Sequence, residues 1–238
     1  MGLQRYLAMT AAEFSAVRET RRGIGWMACH FSSYGTGLSN IPAALPEGSM
    51  VIVNDRTPPH GHDPELIANQ LKELEESGNI SLFLLDFQRE GNEETMGIAE
   101  AVLKALDTPV GVSEVYAEGL ACPVFLTCPP PHRTLEEAVS MWGKRPVWLE
   151  AATETVAAVV TETGCRFVPS READLQQPFF TDKELHCKYH TQVFEDRAVF
   201  TMMRDNEALE ELLQQAQDLG VEVAVGLYQQ LGRGFLKE

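Results

Sequence analysis

Short continuous apolar runs alternate along this chain with amphipathic helical patterns, and this alternation limits the fold more than any other feature. The runs are GIGWMACHF at 23–31, MVIVND at 50–55 and ISLFLLDF at 80–87, each followed by a polar loop. Uninterrupted apolar runs are typical of strands buried on both faces of a parallel sheet. PELIANQLKELEES at 64–77 and TMGIAEAVLKAL at 95–106 have the helical period. The pattern predicts repeated strand–helix units around a parallel sheet.

Further elements extend the alternation to both ends of the chain. The additional predicted strands are 5–9, 109–116, 123–128, 145–151 and 222–228, and the additional helices are Thr10 to about Glu19, 134–143 and 205–220. Eight or nine strands in 238 residues suit a closed barrel better than a five-stranded open sheet. We therefore predict an α/β fold, an irregular (β/α)8 TIM-like barrel that forms a single domain over 1–238.

The alternation loosens in the C-terminal half, where β-hairpins are predicted. TVAAVVTETGCRFVP, 155–169, alternates around a Thr-Gly turn, which is typical of a hairpin. Residues 185–203 are predicted to form two more strands, joined at Glu195 and Asp196. We expect these hairpins to be excursions from the barrel, with exposed edges at 156–168 and 186–203 that a protein partner could pair with.

The charge balance limits the partners of the chain. Nineteen Lys and Arg against thirty-five Asp and Glu give a formal net charge of −16. Such a field repels phosphate backbones and anionic lipid headgroups, so nucleic acid and membrane surfaces are not expected partners. Whether a protein partner exists is left open.

Cysteine usage and the amino terminus predict a cytoplasmic protein. The five cysteines are odd in number, widely spaced and set in apolar runs, which favours reduced and buried thiols. The first residues, MGLQRYLAMTAAEF, lack the apolar core of a signal peptide, and no apolar stretch reaches eighteen residues.

In a barrel of this kind, ligands bind at the C-terminal ends of the strands, so candidate site residues are sought where apolar runs give way to polar ones. Several carboxylates around one concave mouth would raise each other's pKa, which favours acid–base chemistry. The candidate catalytic residues are Asp86, Glu114 and Glu150, and the candidate substrate-binding residues are His30, Asn54, Asp55, Gln88, Tyr116 and Tyr228. The alternative is that these residues only terminate their strands.

The segment HGHD at 60–63 is a candidate metal site because it offers two imidazoles and a carboxylate. Asp63, however, stands where a helix N-cap is needed, and no distant ligand can be identified. A capped, solvated loop is preferred, and no metal is expected. No cofactor is expected either, because Gly35 and Gly37 lack the third glycine of a dinucleotide fingerprint and the Lys-Ser/Thr ending of a phosphate-binding loop.

ISLFLLDFQ at 80–88 resembles the chitinase-like barrels of glycoside hydrolase family 18, in which one strand carries Asp-x-x-Asp-x-Asp-x-Glu. Ser81 and Leu84 replace the first two Asp residues, Asp86 matches the third, and Gln88 stands in place of the catalytic Glu. The resemblance implies that Asp86 orients an acetamido group of the substrate, which acts as nucleophile, while the final residue protonates the leaving oxygen. Gln88 has no ionisable proton to give.

The resemblance implies either a degenerate barrel that binds an amino sugar without cleaving it or an enzyme whose acid comes from another strand. Glu114 and Glu150 are the candidates for that acid. Tyr116 or Trp148 would offer a stacking face, although Trp148 can equally belong to the core.

Two other functions stay open on the sequence. The first is a non-catalytic binding or assembly protein on a barrel scaffold. The second is a metal-assisted hydrolase that uses His60 and His62.

Overall fold

A computed structural model of the chain describes residues 2–16, 22–89, 91–171, 174, 176 and 178–236. In chain order the strands are β1 Gln4–Met9, β2 Ile24–Phe31, β3 Leu38–Ser39, β4 Ser49–Asn54, β5 Ile80–Asp86, β6 Val110–Ser113, β7 Val124–Leu126, β8 Val147–Ala151, β9 Glu154–Thr161, β10 Gly164–Pro169, β11 Phe180–Asp182, β12 Cys187–Val193, β13 Arg197–Arg204 and β14 Val223–Leu227. The helices are α1 Ala11–Ala16, α2 Pro64–Glu76, α3 Glu93–Ala105, α4 Leu135–Ser140, α5 Asn206–Asp218 and α6 Tyr228–Leu231, followed by a 3-10 turn at Arg233–Leu236.

Eight parallel strands form a closed barrel in the order β1, β2, β4, β5, β6, β7, β8 and β14. Closure occurs at β1, which pairs in parallel with both β14 and β2. The short strand β3 adds to β2 in the antiparallel sense. The predicted TIM-like barrel with hairpin excursions is confirmed.

The barrel strands are apolar on both faces because each face packs on a different core. On β5, Leu82 and Leu84 point into the barrel, where they pack with residues such as Tyr6, Phe125 and Trp148. The intervening residues of β5, including Phe83 and Leu85, pack outward in a cluster that contains the buried faces of α2 and α3. Alternation of side chains along a strand produces this division. It explains why the strands read as continuous apolar runs.

Polar residues that precede the helices act as caps. Asp63 accepts hydrogen bonds from the backbone N–H groups of Glu65 and Leu66 at the start of α2, where Pro64 is the first helical residue. Asn92 caps α3 in the same way through Glu94 and Thr95. Each cap satisfies N–H groups that have no partner within the helix.

Two predicted boundaries are corrected. The strand predicted at 109–116 ends at Ser113, because a turn follows in which the N–H of Tyr116 donates to the carbonyl of Ser113. The final strand ends at Leu227, and Tyr228 begins α6 instead of ending the strand. The helix predicted from Thr10 to about Glu19 is seen as α1, and its remainder falls at 17–19, outside the described residues.

The chain divides into two compact units. The first contains Met1–Thr127, Lys144–Glu150 and Val221–Glu238, and carries the barrel. The second contains Cys128–Gly143 and Ala151–Gly220. Its strands form a five-stranded antiparallel sheet in the order β10, β9, β13, β12 and β11, and it also contains α4 and α5.

The two predicted hairpins belong to one sheet, since β9 of one pairs with β13 of the other. That pairing covers one edge of each hairpin and leaves β10 and β11 as the edge strands of this sheet. Cys165 lies on β10 and is exposed, whereas the other four cysteines are buried. The prediction that all five are buried is wrong for Cys165, because it lies on an edge strand near the turn between β9 and β10.

Whether the two units unfold together stays a prediction. We expect a single cooperative transition, because β14 closes the barrel but follows the second unit in the chain. A chain truncated before Glu222 would leave β1 and β8 without β14, so it should fail to give a soluble monomer. Thermal unfolding followed by circular dichroism checks this. A truncated soluble monomer with an unchanged unfolding midpoint would contradict closure as a requirement for stability.

Candidate functional site

A pocket of about 310 Å³ opens at the C-terminal ends of the barrel strands. All of its lining residues belong to the first compact unit. They are Ala8, Met27, Ile52, Leu84, Asp86, Gln88, Phe125, Thr127, Glu150, Val225, Gly226 and Leu227. A largely apolar wall with a few polar groups is typical of small-molecule sites, and the volume is at the lower end of their range.

Asp86 and Gln88 enter this pocket together. Leu84, Asp86 and Gln88 are spaced two residues apart at the end of β5, and all three line the pocket. The Nε2 of Gln88 donates a hydrogen bond to Oδ1 of Asp86 at 2.5 Å. The residues that match the last two positions of the chitinase-like pattern therefore form a hydrogen-bonded pair in the barrel mouth.

The pKa of Asp86 is raised from its ordinary value. Burial is the largest cause, and the negative charge of Asp55 adds to it, while the hydrogen bond from Gln88 acts in the opposite direction. Since a raised pKa favours the protonated form, Asp86 takes up a proton at higher pH than an exposed aspartate does.

Glu150 brings a second carboxylate to the same pocket. It lies near the end of β8, which is separated from β5 by β6 and β7, and its side chain is half-buried. Thr127, just after the end of β7, is exposed and also lines the pocket. The pocket thus has an aspartate–glutamine pair from one strand and a glutamate from another.

The side chains of Asn54 and His30 both form hydrogen bonds at strand β2. Asn54 pairs in register with Asp86, but its Nδ2 donates to the carbonyls of Met27 and Cys29 at 3.0 Å each. These carbonyls flank an irregularity in β2, where the register with β4 shifts. His30 is bonded through Nδ1 to the carbonyl of Phe31 at 2.8 Å, and its Nε2 accepts from the side chain of Asn40. Neither residue lines the pocket.

Asp55 and Glu114 also lie outside the pocket lining and hold loops at the barrel mouth. Asp55 is buried and accepts the backbone N–H of Arg89 at 2.8 Å. Glu114 accepts the backbone N–H of Thr127 at 3.1 Å. Of the three candidate catalytic carboxylates, the structure brings Asp86 and Glu150 into one pocket and leaves Glu114 outside it.

The aromatic candidates do not face the pocket. Tyr116 is buried in the outer cluster against Phe87, and its hydroxyl donates to the carbonyl of Arg89. Tyr228 is the first residue of α6, and its neighbour Leu227 lines the pocket instead. Trp148 is 1% exposed within the barrel interior, so it belongs to the core and not to a stacking face.

The HGHD segment is a structural loop. The side chain of His62 is buried, its Nδ1 accepts the backbone N–H of His60 at 2.9 Å, and its Nε2 lies 3.1 Å from the carbonyl of Ser32. Both ring nitrogens are thus bonded to backbone groups. Asp63 caps α2. Among the described residues, no group of three His, Cys, Asp or Glu is arranged to hold a metal ion.

Sequence reasoning missed the apolar part of the site. Ala8, Ile52, Phe125 and Val225 line the pocket and also pack in the barrel interior. Their inward orientation could have been deduced by counting alternate positions along each predicted strand. Met27 could not have been found in this way, because it lies where the register between β2 and β4 shifts.

In the described part of the chain, no helix is both long enough and apolar enough to cross a bilayer.

Known structures share this fold. A chitinase from Chromobacterium violaceum ATCC 12472 superposes with a TM-score of 0.52 at 9% sequence identity, covering 94% of this chain and 93% of the chitinase. The Bacillus cereus spore cortex-lytic enzyme SleL gives a TM-score of 0.50 at 8% identity, covering 94% of this chain and 71% of that enzyme. No protein-family model matches the sequence. No curated protein matches it either.

Identities of 8–9% carry a likeness of fold and not of activity. The resemblance suggested by residues 80–88 is confirmed at that level, since the chain shares its barrel fold with a chitinase and with a spore cortex-lytic enzyme.

Proposed function

We propose that the barrel mouth binds an amino sugar and that the protein is a degenerate glycoside-hydrolase-like barrel with little or no cleavage activity of its own. The observation that carries this proposal is the Asp86–Gln88 pair, which is hydrogen-bonded in a pocket at the mouth of a barrel whose structural neighbours include a chitinase. That the ligand is a carbohydrate is inferred from the structural likeness to a chitinase, and the contacts proposed for it are inferred from the pocket residues.

The pair offers groups that fit an N-acetyl substituent. Asp86 uses Oδ1 to accept from Gln88, and no described residue is seen to hydrogen-bond its Oδ2. A carboxylate oxygen accepts the N–H of an acetamido group, and the side-chain carbonyl of Gln88 accepts a sugar hydroxyl. The apolar wall formed by Phe125, Met27 and Leu227 suits the acetyl methyl and the less polar face of a sugar ring.

Cleavage needs an acid that Gln88 cannot be. Besides Asp86, to which the orienting role is assigned, Glu150 is the carboxyl group of the pocket lining, whereas Glu114 lies outside it. If Glu150 were that acid, the native protein would hydrolyse chito-oligosaccharides above the buffer rate, and Glu150→Gln would abolish the activity. We expect the native rate to equal that of buffer, because hydrolysis by the acetamido mechanism needs the acid beside the group that orients the amide, and that position holds Gln88.

A second candidate function, a non-catalytic assembly protein, is favoured by one feature of the second unit. Its edge strands β10 and β11 each carry an exposed phenylalanine, Phe167 and Phe180. Exposed apolar residues on unpaired sheet edges are a recurrent feature of strand-addition interfaces.

Calorimetry or ligand-observed NMR with N-acetylglucosamine and chitotetraose separates the two functions. We expect weak binding to the native protein and a loss of affinity of about tenfold or more in Asp86→Ala, since hydrogen bonds to charged groups are worth about 1.5–3 kcal/mol. Glu114→Gln is the matched control, because it alters a strand-end carboxylate outside the pocket and should leave affinity unchanged. Failure of the native protein to bind any amino sugar at millimolar concentration would refute the sugar site and favour the assembly protein.

A further inference from the structure

Gln88 reaches the pocket from a loop and not from a strand. Strand β5 ends at Asp86, so the alternation that orients side chains within a sheet does not extend to Gln88. The hydroxyl of Ser113, the last residue of β6, donates to the carbonyl of Phe87, the residue before Gln88. Ser113 is fully buried, and the ring of Phe87 is buried in the outer cluster. The chain is therefore anchored on one side of Gln88.

Arg89 anchors the chain on the other side of Gln88. Its N–H donates to Oδ2 of Asp55 at 2.8 Å, and its carbonyl accepts the hydroxyl of Tyr116. The guanidinium of Arg89 donates to the carbonyls of Asp55 at 3.0 Å and Arg56 at 3.2 Å. The hydroxyl of Tyr116 also accepts the N–H of residue 92, the N-cap of α3, at 3.3 Å, which ties the loop to that helix.

The side chains of Ser113, Asp55 and Tyr116 thus clamp the backbone of residues 87 and 89 through three hydrogen bonds. All three side chains belong to buried residues, at most 4% exposed. Buried polar groups are costly unless they are hydrogen-bonded, so these groups favour the one loop position that satisfies them. A loop held in this way loses its conformational freedom on folding and not on ligand binding.

We propose that Ser113 and Tyr116 are positioning residues, which hold the backbone around Gln88 so that its side-chain amide stays bonded to Oδ1 of Asp86. Neither residue lines the pocket, so each acts through the loop and not on a ligand. Tyr116, which the sequence indicated as a substrate-binding residue, has this different role. The clamp needs no ligand, and only its effect on sugar affinity rests on the proposed function.

The pKa of Asp86 reports on the clamp in the absence of any ligand. Burial and the charge of Asp55 raise this pKa, whereas the hydrogen bond from Gln88 lowers it. Loss of that hydrogen bond therefore raises the pKa further, because the charged form of the carboxyl loses a donor.

Tyr116→Phe and Ser113→Ala each remove one hydroxyl and leave the charged groups around Asp86 in place. Asp55 itself is not varied, because its charge acts on the pKa of Asp86 directly. The charged groups that both variants retain are Asp55 after β4, Arg89 after β5, Glu114 after β6 and Glu150 on β8.

We expect the pKa of Asp86 to rise in Tyr116→Phe, in Ser113→Ala and in Gln88→Ala. Titration of the Asp86 carboxyl carbon by NMR, assigned by comparison with Asp86→Asn, measures it in the whole protein. Adding Tyr116→Phe to Gln88→Ala should give no further rise, because the side chain that the clamp positions is already absent.

Tyr6→Phe is the matched control, since it removes another buried tyrosine hydroxyl from the same barrel. That hydroxyl is bonded to Ser81 near the start of β5, at the opposite end of the strand from Asp86. Tyr6→Phe should leave the pKa of Asp86 unchanged.

Calorimetry with N-acetylglucosamine tests the consequence for binding. Tyr116→Phe should weaken affinity by about 2- to 10-fold in the native chain and leave it unchanged in Gln88→Ala, as expected for one hydrogen bond that acts through Gln88. An unchanged pKa of Asp86 in both Tyr116→Phe and Ser113→Ala would overturn the positioning role. So would an equal rise with and without Gln88. If the pKa rises as expected but the native protein binds no amino sugar, the clamp stands and the proposed function is refuted.

Discussion

Replacing Gln88 by Glu is expected to raise the hydrolysis of chito-oligosaccharides from the buffer rate by about 100-fold. A positioned general acid contributes about 10²–10⁴-fold, and we expect the lower end because Ser81 and Leu84 replace the carboxylates that would tune its pKa. Amide and carboxyl groups are nearly isosteric, so the change adds a transferable proton with little change in shape. Release of reducing ends from chitotetraose measures the effect.

The contact between the two side chains is the reason to expect a gain at this position. Gln88 lies 2.5 Å from Oδ1 of Asp86, so a carboxyl placed there would share one proton with a neighbour whose own pKa is already raised by burial. Two carboxyls at such a separation cannot both ionise readily, which keeps one of them protonated at neutral pH. Asp86→Ala combined with Gln88→Glu should therefore abolish the gain.

Thr127→Glu is the matched control for that experiment. It adds a carboxyl group to the same pocket, on the strand β7 side and away from the end of β5. We expect no gain from it. An equal gain from Thr127→Glu would contradict the role assigned to the Asp86 pair. So would an unchanged rate in Gln88→Glu protein that still binds chitotetraose.

Gly111→Ala is expected to lower the free energy of unfolding by about 2–3 kcal/mol and the melting temperature by about 5–10 °C. Gly111 lies on β6 with the ring of Trp148 packed directly against it. A Cβ there would lie 2.3 Å from Cε3 and 2.5 Å from Cζ3 of Trp148. Trp148 is enclosed in the barrel interior and cannot move aside without displacing its neighbours. Thermal and urea unfolding measure the loss.

Gly97→Ala provides the control because the same methyl group is added in open space. Gly97 lies in α3, and a Cβ there meets no atom within 4 Å. It should raise the free energy of unfolding by about 0.5–1 kcal/mol through the higher helix propensity of alanine. Trp148→Phe combined with Gly111→Ala should recover part of the lost free energy of unfolding, because the smaller phenylalanine ring leaves room for the new methyl group. Full stability of Gly111→Ala alone would show that the interior is not packed as described.

The sequence by itself determined the elements and the class of fold. Continuous apolar runs, helical periods and capping residues such as Asp63 are local features, and they indicated the barrel strands and α2, α3 and α5. Alternation along the predicted strand also indicated that Asp86 and Gln88 share a face. Because β5 ends at Asp86, it is the structure that shows Gln88 lining the same pocket.

The tertiary structure alone decided which strand ends share a pocket. Glu114 and Glu150 looked equivalent in the sequence, but Glu150 lines the pocket while Glu114 is bonded to the backbone of Thr127. Asn54 does not line the pocket, because its side chain donates to backbone carbonyls of β2 where the register of that strand shifts. Tyr116 lies past the end of β6, where the alternation of side chains no longer applies.

These outcomes depend on strand pairing and on where each strand stops, which are properties of contacts distant in the chain. Three other features also depend on contacts between segments distant in the chain. They are the pairing of β1 with β14, the packing of Trp148 against Gly111, and the hydrogen bond between His62 and the carbonyl of Ser32. A local pattern specifies which residues can face inward. Only the assembled barrel specifies which of them meet, because packing and hydrogen bonds between remote segments select the partners.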